Sequence, residues 1–134
     1  MVDSVTPSRR SEIMGRVRSK DTSPEMAVRK MVHSLGYRYR LHRKDLPGRP
    51  DLVFPGRGKI IFVHGCFWHR HPGCSLARVP KSRVDFWEAK LNANRERDLQ
   101  TLKKLEEMGW SCLVIWECEI RESGLRERIK EFLG

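Results

Sequence analysis

No run of apolar residues in this chain approaches the roughly 18 that a membrane-spanning helix needs, and the opening stretch MVDSVTPSRR has no apolar segment after its charges. We therefore expect no membrane span, no secretory signal and a cytoplasmic location. The sequence also lacks internal repeats and low-complexity tracts, which argues against solenoids and long disordered linkers. With 134 residues, the chain is long enough for one domain with a buried core and too short for two.

Acidic residues are outnumbered by basic ones. The chain has 27 Lys and Arg against 17 Asp and Glu, which gives a formal net charge of +10. Arginine dominates the excess, and its planar guanidinium group suits phosphate oxygens. The charge could serve solubility alone, but it favours a polyanion partner, above all nucleic acid. A membrane surface is less suitable, because no basic helix carries a wide apolar face.

Two helices, a strand and a hairpin are predicted in the first half of the chain. Thr6 and Pro7 mark the start of a short basic helix, and Ser23 with Pro24 the start of a second, which Gly36 ends. In YRYRLHR, apolar and basic residues alternate, which predicts a half-buried strand. Its inner face would carry Tyr37, Tyr39 and Leu41, and its outer, basic face Arg38, Arg40 and His42. DLVFPGRGKIIFV has two apolar runs around a Pro-Gly-Arg-Gly turn, which is typical of a hairpin.

A long helix, a strand and a last helix are predicted in the second half. The long helix would begin with a capping box of Ser82 and Asp85 and end at Gly109. Its apolar stripe would consist of Leu99, Leu102, Leu105 and Met108. WSCLVIWEC is apolar on both faces, as a central strand is, and Ser123 would cap the last helix. Together, these elements predict an α/β fold with a central mixed sheet flanked by helices.

The segment HGCFWHRHPGC, residues 64–74, concentrates metal-ligating side chains. Cys66, His71 and Cys74 follow the spacing C-x4-H-x2-C, and WEC supplies Cys118. Three thiolates and one imidazole suit tetrahedral zinc, and four protein ligands indicate a structural site. Cys112 is an alternative fourth ligand, although its place inside a strand is more typical of a buried thiol. Four unrelated core cysteines are the other alternative.

A second group of ligands is predicted at one end of the hairpin. Asp51 begins the first strand and His64 ends the second, so the two residues should be neighbours. A carboxylate and imidazoles that converge at a sheet end in a basic protein fit a Mg²⁺ site for phosphodiester hydrolysis. Taken singly, Asp51 could be a turn cap and His64 a polar strand end.

Four segments occur in an order and spacing that resemble the very short patch repair (Vsr) endonucleases: PGRPDLVF, HGCFWHRHPGC, FWEAKLNANRERD and VIWECE. The similarity runs from about SKDTSPE to WEC. It implies one restriction-endonuclease-like domain over residues 1–134, with a structural zinc site and with residues 1–22 as a basic helix or arm on DNA.

The resemblance also implies an activity. Vsr endonucleases recognise a T:G mismatch in double-stranded DNA, left by deamination of 5-methylcytosine, and nick 5′ to the mismatched thymine. Repair proteins downstream then replace a short patch. We expect a monomer that acts on the nucleoid in the bacterial cytoplasm.

Residue roles follow from the resemblance by position. It implies zinc on the same four ligands, and Mg²⁺ on Asp51 and the backbone carbonyl of Val63. His64 and His69 would flank the scissile phosphate, with His69 as general base. Two acidic residues, Glu25 and Asp98, would support this site, and the aromatic residues Phe67, Trp68 and Trp87 would contact DNA. From the charge of the N-terminal segment, we also expect DNA contacts from Arg9, Arg10, Arg16, Arg18 and Lys20.

Two features depart from related patterns. The wider nuclease superfamily has a (D/E)-x-K strand where this chain has FVH, so phosphate oxygens and water must complete the Mg²⁺ shell. HRHPGC is one residue longer than the compact all-histidine form, which makes His69 an alternative to His71 at the zinc. Two other functions remain: a restriction-type enzyme that cuts both strands as a dimer, and a non-catalytic, zinc-stabilised DNA-binding module in which Asp51 only caps a turn.

Overall fold

The computed structural model describes residues 22–134. The predicted first helix, with Arg9, Arg10, Arg16, Arg18 and Lys20, lies outside the described residues. The described part has three helices and four strands. They are α1 (Ser23–Ser34), β1 (Arg40–Leu41), β2 (Leu52–Phe54), β3 (Lys59–His64), α2 (Val84–Glu107), β4 (Ser111–Trp116) and α3 (Leu125–Leu133). Between residues 22 and 134, no helix has the length and apolar character to cross a membrane.

The strands form one mixed sheet in the order β1-β2-β3-β4. β1, β2 and β3 pair antiparallel, and β3 pairs parallel with β4. The predicted hairpin is confirmed: a 3-10 turn at Pro55–Arg57 joins β2 to β3, and Gly58 closes it at a φ of 65°. The prediction that WSCLVIWEC is central was wrong, since β4 is an edge strand. It is apolar on both faces because helices pack against both faces of the sheet.

Two hydrophobic cores cover the two faces of the sheet. Helices α1 and α3 pack on one face, and α2 packs on the other. The first core contains Val28, Val32, Leu52, Phe54, Ile61, Ile115, Leu125, Ile129 and Leu133. The second contains Leu46, Val53, Ile60, Phe62 and Leu105. The predicted α/β architecture, a mixed sheet flanked by helices, is therefore confirmed.

Some local details differ from the sequence-based expectations. Helix α1 is capped by Thr22, whose Oγ1 accepts a hydrogen bond from the Glu25 N–H, and not by Ser23. Tyr37 and Tyr39 pack against the first core as predicted. Leu41, however, is 41% exposed, because β1 is only two residues long and lies at the sheet edge.

The long helix differs most from its prediction. Its N-cap is Arg83, in the left-handed region at a φ of 56° with no side-chain cap, so the capping box of Ser82 and Asp85 was wrong. Leu99 and Met108 are 54% and 55% exposed and do not belong to the buried stripe. Two other corrections concern buried and capping positions. Leu91 and Leu105 are the fully buried residues of α2, and Gly124 instead of Ser123 is the N-cap of α3.

In the middle of helix α2, the side that faces the rest of the protein carries polar residues. Asn94 and Asp98 are less exposed than their neighbours on the helix and lie one turn apart. Asn94 Nδ2 donates to the Trp68 carbonyl at 3.2 Å, and Asp98 Oδ2 lies 2.6 Å from His69 Nδ1. The sequence pattern missed this face because polar residues interrupt its apolar spacing. Helix α2 therefore holds the loop that follows β3.

Candidate active site and metal centre

A cavity of about 480 Å³ lies between the end of β3, the segment before β2 and helix α2. We call it the acid–histidine cavity. Its lining includes His42, Asp51, Val63, His64, His69 and Asp98. The end of the hairpin and one side of α2 thus bring predicted catalytic residues to one space, and they add His42, which the sequence analysis did not select.

Asp51 lies at the start of β2, where its carboxylate is held by backbone. Asp51 Oδ2 accepts a hydrogen bond from the Val63 N–H at 2.7 Å. Burial raises the pKa of Asp51 to about 7; the Val63 hydrogen bond opposes that rise and the nearby Glu25 carboxylate adds to it. Burial and the neighbouring Glu25 carboxylate therefore disfavour ionisation of Asp51 in the free protein.

Glu25 is buried near Asp51, and its carboxylate contacts one arginine and one histidine. It is 2% exposed. The Arg29 guanidinium forms an ion pair with Glu25 Oε2, and His42 Nε2 lies 2.8 Å from the same oxygen. One potential ligand atom from each of Glu25, His42 and Asp51 lies within 4.8 Å of the other two. The structure therefore groups Asp51 with Glu25 and His42, while His64 belongs to a neighbouring group.

His64, His69 and Asp98 form that neighbouring group. The rings of His64 and His69 are stacked, with centroids 3.9 Å apart and planes 4° from parallel. His69 Nδ1 lies 2.6 Å from Asp98 Oδ2, so its proton is held on Nδ1 by the carboxylate. Burial, with the charge of His69, lowers the pKa of His64 to about 3. His64 is therefore a neutral ring, and within residues 22–134 its buried Nδ1 has no hydrogen-bond partner.

Basic side chains line the same cavity. Lys44, Arg49 and Arg97 belong to its wall, and none of them was singled out from the sequence. The segment with Lys44 and Arg49 runs close against α2: a Cβ on Gly48 would lie 2.3 Å from Cγ2 of Thr101, and Gly48 has a φ of +74°. Only glycine allows this approach, which brings the cationic groups beside the carboxylates and histidines.

Four aromatic side chains pack together next to His69, and we call them the aromatic cluster: Phe67, Trp68, Phe86 and Trp87. Ring centroids of Phe67 and Trp68 are 5.0 Å apart, and Trp87 lies 5.6 and 6.1 Å from them. Phe86 lies 5.2 Å from Trp87 and is 45% exposed. Neither described core contains Phe67 or Trp68. The structure therefore brings together the three aromatic residues predicted to bind DNA, and Phe86 is an addition.

A second group of ligands, the thiolate cluster, consists of Cys66, His71, Cys74 and Cys118. One ligand atom from each lies within 4.8 Å of the others. Nδ1 of His71 is 3.6 Å from Cys66 Sγ and 3.4 Å from Cys118 Sγ. Sulfur and nitrogen atoms on one tetrahedral zinc ion stand about 3.6 Å apart, given bonds of about 2.3 and 2.0 Å. The four residues could therefore hold a tetrahedral metal ion.

The surroundings of the thiolate cluster favour the thiolate form of some of its cysteines and disfavour it for others. Burial raises the pKa of the Cys66 thiol to about 12, whereas the Leu76 N–H lowers the pKa of Cys74. Ionising all three thiols without a cation is unfavourable, and a bound metal ion would supply the missing charge. His71 also stacks on Trp116, with centroids 4.2 Å apart, which fixes its ring.

The two alternatives for the zinc ligands lie elsewhere. His69 contacts Asp98, as described above, and is absent from the thiolate cluster. Cys112 packs against the second hydrophobic core, where burial raises the pKa of its thiol to about 11. The spacing in HRHPGC therefore leaves His71 with the cysteines and His69 with the cavity.

Comparisons with known proteins agree with these motifs. A family model described as DNA mismatch endonuclease Vsr matches residues 2–75. The type II nicking enzyme V.XorIIP of Xanthomonas oryzae pv. oryzae is 52% identical over 99% of this chain and 98% of its own length. The type II nicking enzyme V.NmeAIP of Neisseria meningitidis serogroup A is 40% identical (99% and 95%), and the DNA mismatch endonuclease Vsr of Escherichia coli K12 is 37% identical (99% and 88%). The resemblance is confirmed: the chain belongs to the Vsr family of DNA mismatch endonucleases.

Proposed function

We propose that this protein is a strand-specific DNA endonuclease that recognises T:G mismatches and nicks 5′ to the mismatched thymine, which starts very short patch repair. The observation that carries the proposal is one cavity in which Asp51, the stacked pair His64–His69 and Asp98 meet basic side chains. A carboxylate able to hold a metal ion, an oriented imidazole and cations for phosphate are the parts that phosphodiester hydrolysis needs.

His69 is the general base in this proposal. Asp98 Oδ2 accepts a hydrogen bond from the His69 Nδ1–H at 2.6 Å, which leaves the lone pair on Nε2 to take a proton from the attacking water. Asp98 acts through His69 and is a positioning residue. His64 stacks on the same imidazole, so it fixes the plane of the base and flanks the phosphate as an uncharged hydrogen-bonding group.

Asp51 and the Val63 carbonyl would hold Mg²⁺. The Asp51 carbonyl accepts from the His42 N–H on the β1 side, so the backbone groups of Pro50 face β3. Continuing the β2–β3 register brings Pro50 opposite Val63, and proline has no N–H to donate. Pro50 therefore cannot donate the backbone hydrogen bond that the Val63 carbonyl would accept in a regular β2–β3 pairing. Bound Mg²⁺ would polarise the scissile phosphate and balance the negative charge that develops there.

The thiolate cluster would hold a structural zinc ion. Four protein ligands at tetrahedral spacing leave no open position for a substrate or water. Cys66, His71 and Cys74 belong to the loop that also carries Phe67, Trp68 and His69, so the ion would fix this loop on the end of β4 through Cys118. We expect the restriction-endonuclease-like core to depend on this link for the placement of His69.

The aromatic cluster would detect the mismatch. A T:G pair retains most of its stacking, so inserting aromatic rings into the base stack, at a cost of a few kcal/mol, is easiest where pairing is already weakened. Phosphate contacts from Lys44, Arg49, Arg97 and the basic residues before position 22 would clamp the backbone without reading sequence. The protein would bind as a monomer, because one strand has to be cut once.

A gel assay tests the proposed function. A duplex with one T:G mismatch, labelled on either strand, is incubated with protein and Mg²⁺ and run under denaturing conditions beside T:A and C:G duplexes. The proposal expects one nick, 5′ to the mismatched thymine, and none with Asp51→Ala. Cleavage of both strands would support a restriction-type enzyme instead. Tight binding without any cleavage would support a DNA-binding module.

A further inference from the structure

His42 lies beside two carboxylates, and none of the roles proposed above uses it. Its Nε2 lies 2.8 Å from Glu25 Oε2, and ligand atoms of Glu25, His42 and Asp51 all lie within 4.8 Å of one another. Neighbouring ligands on one octahedral ion stand about 3 Å apart, and opposite ones about 4.2 Å, for bonds of about 2.1 Å. The three side chains therefore lie close enough to serve one divalent ion.

We propose that His42 is a nitrogen ligand of the divalent ion at Asp51, and that this ligand gives the site a preference for a transition-metal ion such as Mn²⁺ over Mg²⁺. The inference rests on the proposed nuclease function, because it concerns the ion that Asp51 would hold for that reaction.

The backbone holds His42 in this place at some cost. His42 has a φ of 47°, in the left-handed region that non-glycine residues adopt infrequently. Its N–H donates to the Asp51 carbonyl at 3.3 Å, so the β1–β2 pairing fixes it opposite Asp51. Uncommon backbone conformations of this kind persist where surrounding structure imposes them, often at functional sites. The side chain is 21% exposed and lines the acid–histidine cavity.

The charges at this position leave room for a cation. Glu25 is buried and forms an ion pair with Arg29, whereas the mostly buried Asp51 forms no ion pair within residues 22–134. A divalent ion bound at Asp51 would balance the charge of its ionised carboxylate. The alternative role for His42 is a hydrogen bond to Glu25 that only positions this carboxylate. In that case the imidazole would have no effect on which ion binds.

Ligand chemistry separates the two roles. Mg²⁺ takes oxygen ligands in a near-ideal octahedron and keeps several waters, whereas transition-metal ions accept imidazole nitrogen. A site made of Asp51, Glu25 and the Val63 carbonyl alone would offer only oxygen. Adding His42 changes its selectivity, and a direct nitrogen–metal bond is visible by spectroscopy independently of DNA cleavage.

The test uses zinc-loaded, full-length protein and Mn²⁺ as the probe. Free Mn²⁺ is counted by EPR during titration, Mg²⁺ is titrated as competitor, and electron spin-echo modulation reports ¹⁴N bound to Mn²⁺. The wild type is compared with His42→Gln, which replaces Nε2 by an amide, and with His33→Gln as the matched control on the exposed end of α1. His42→Asn is a second variant, because asparagine tolerates positive φ.

The proposal expects imidazole nitrogen modulation in wild type and His33→Gln, and its loss in both His42 variants. Mn²⁺ affinity should fall by about 10-fold or more in those variants, with a change in Mg²⁺ affinity of less than about 3-fold. Nitrogen coupling that persists without His42, or that is missing in wild type, overturns the proposal, as does an equal loss for both ions. Nicking of the T:G duplex is measured in the same samples: if no protein nicks, the proposed function fails, while the nitrogen signal still decides the role of His42.

Discussion

The thiolate cluster and the acid–histidine cavity draw on the same loop, residues 64–74, but differ in how complete they are. The thiolate cluster has four potential protein ligands, and the two distances from His71 to sulfur suit a tetrahedral ion. The cavity has two sets of three potential ligands, a buried His64 Nδ1 without a partner in the described residues, and a carboxylate with a raised pKa. A filled shell suits a structural ion, whereas an incomplete one suits a site finished by substrate, water and a second ion.

This difference also separates stability from activity. The thiolate cluster joins the loop to the end of β4, so its loss should affect folding first. The cavity contains the mostly buried Asp51 carboxylate and the buried His64 Nδ1, which has no hydrogen-bond partner within the described residues. Buried groups of this kind lower stability and are typical of functional sites. Changes in the two places should therefore have distinguishable effects on stability and on cleavage.

Replacing Asp51 should have the largest effect on cleavage. Asp51→Ala removes the carboxylate that would hold Mg²⁺, so nicking of a T:G duplex should fall below detection. DNA affinity should change little, because it rests on phosphate contacts from the basic surface. Single-turnover cleavage and a binding titration on the same preparation measure both. A variant that still nicks at a comparable rate would remove Asp51 from the mechanism.

Replacing His69 should slow cleavage without abolishing it. His69→Ala removes the proposed general base, which typically costs about 10² to 10⁴-fold in rate. Asp98→Asn should cause a smaller loss of the same kind, since it weakens only the orientation of His69. Rates are measured at saturating DNA, with zinc content checked in each variant. If Asp98→Asn were as slow as His69→Ala and also lost zinc, its role would be structural instead.

Removing one thiolate should affect metal content and folding. Cys118→Ser breaks the proposed zinc shell, and structural zinc supplies folding free energy, so this variant should lose its metal and unfold at lower temperature. Cys112→Ser is the matched control. Cys112 packs against the second core, so this variant should keep about one zinc per chain. Metal analysis and thermal unfolding decide it. Full zinc in Cys118→Ser with none in Cys112→Ser would contradict the ligand assignment.

Changes in the aromatic cluster should have the smallest effect, and this effect should be on the discrimination between mismatched and matched DNA. Trp68→Ala should weaken binding to the T:G duplex by about 10-fold or more and to matched DNA by less. Arg18→Ala, in the basic segment, should weaken both equally and flatten the salt dependence. Titrations at several salt concentrations give both quantities. Equal losses for the two duplexes in Trp68→Ala would mean that Trp68 serves packing or clamping and not mismatch detection.

The sequence predicted the elements with strong local signals and missed those set by tertiary context. The hairpin follows from a turn signal, and three residues of the thiolate cluster follow from close spacing. Cys118 was preferred to Cys112 as the fourth because it lies where a strand ends. The stripe on α2 was misplaced because Asn94 and Asp98 occupy its inner side. β4 was predicted to be a central strand because it is apolar on both faces. Helices cover both faces of this edge strand, so its composition does not distinguish it from a central strand.

The missed site residues share a physical reason. His42 was assigned to the outer basic face of a strand, and the positive φ that turns it toward Asp51 leaves no signal in the alternation. Lys44, Arg49 and Arg97 reach the cavity because the segment before β2 lies against α2, a long-range contact. The signal that was available is Gly48 within LPGRPD, since glycine between two prolines indicates a tight approach.

The most direct measurement combines metal content with cleavage. Protein is treated with EDTA, its zinc content is determined, and nicking of the T:G duplex is measured before and after addition of Mg²⁺ alone. We expect zinc to stay near one ion per chain, cleavage to stop in EDTA, and cleavage to return with Mg²⁺ without added zinc. Cleavage that persists in EDTA with zinc retained, or that returns only with added zinc, would contradict the division between a structural thiolate cluster and a catalytic acid–histidine cavity.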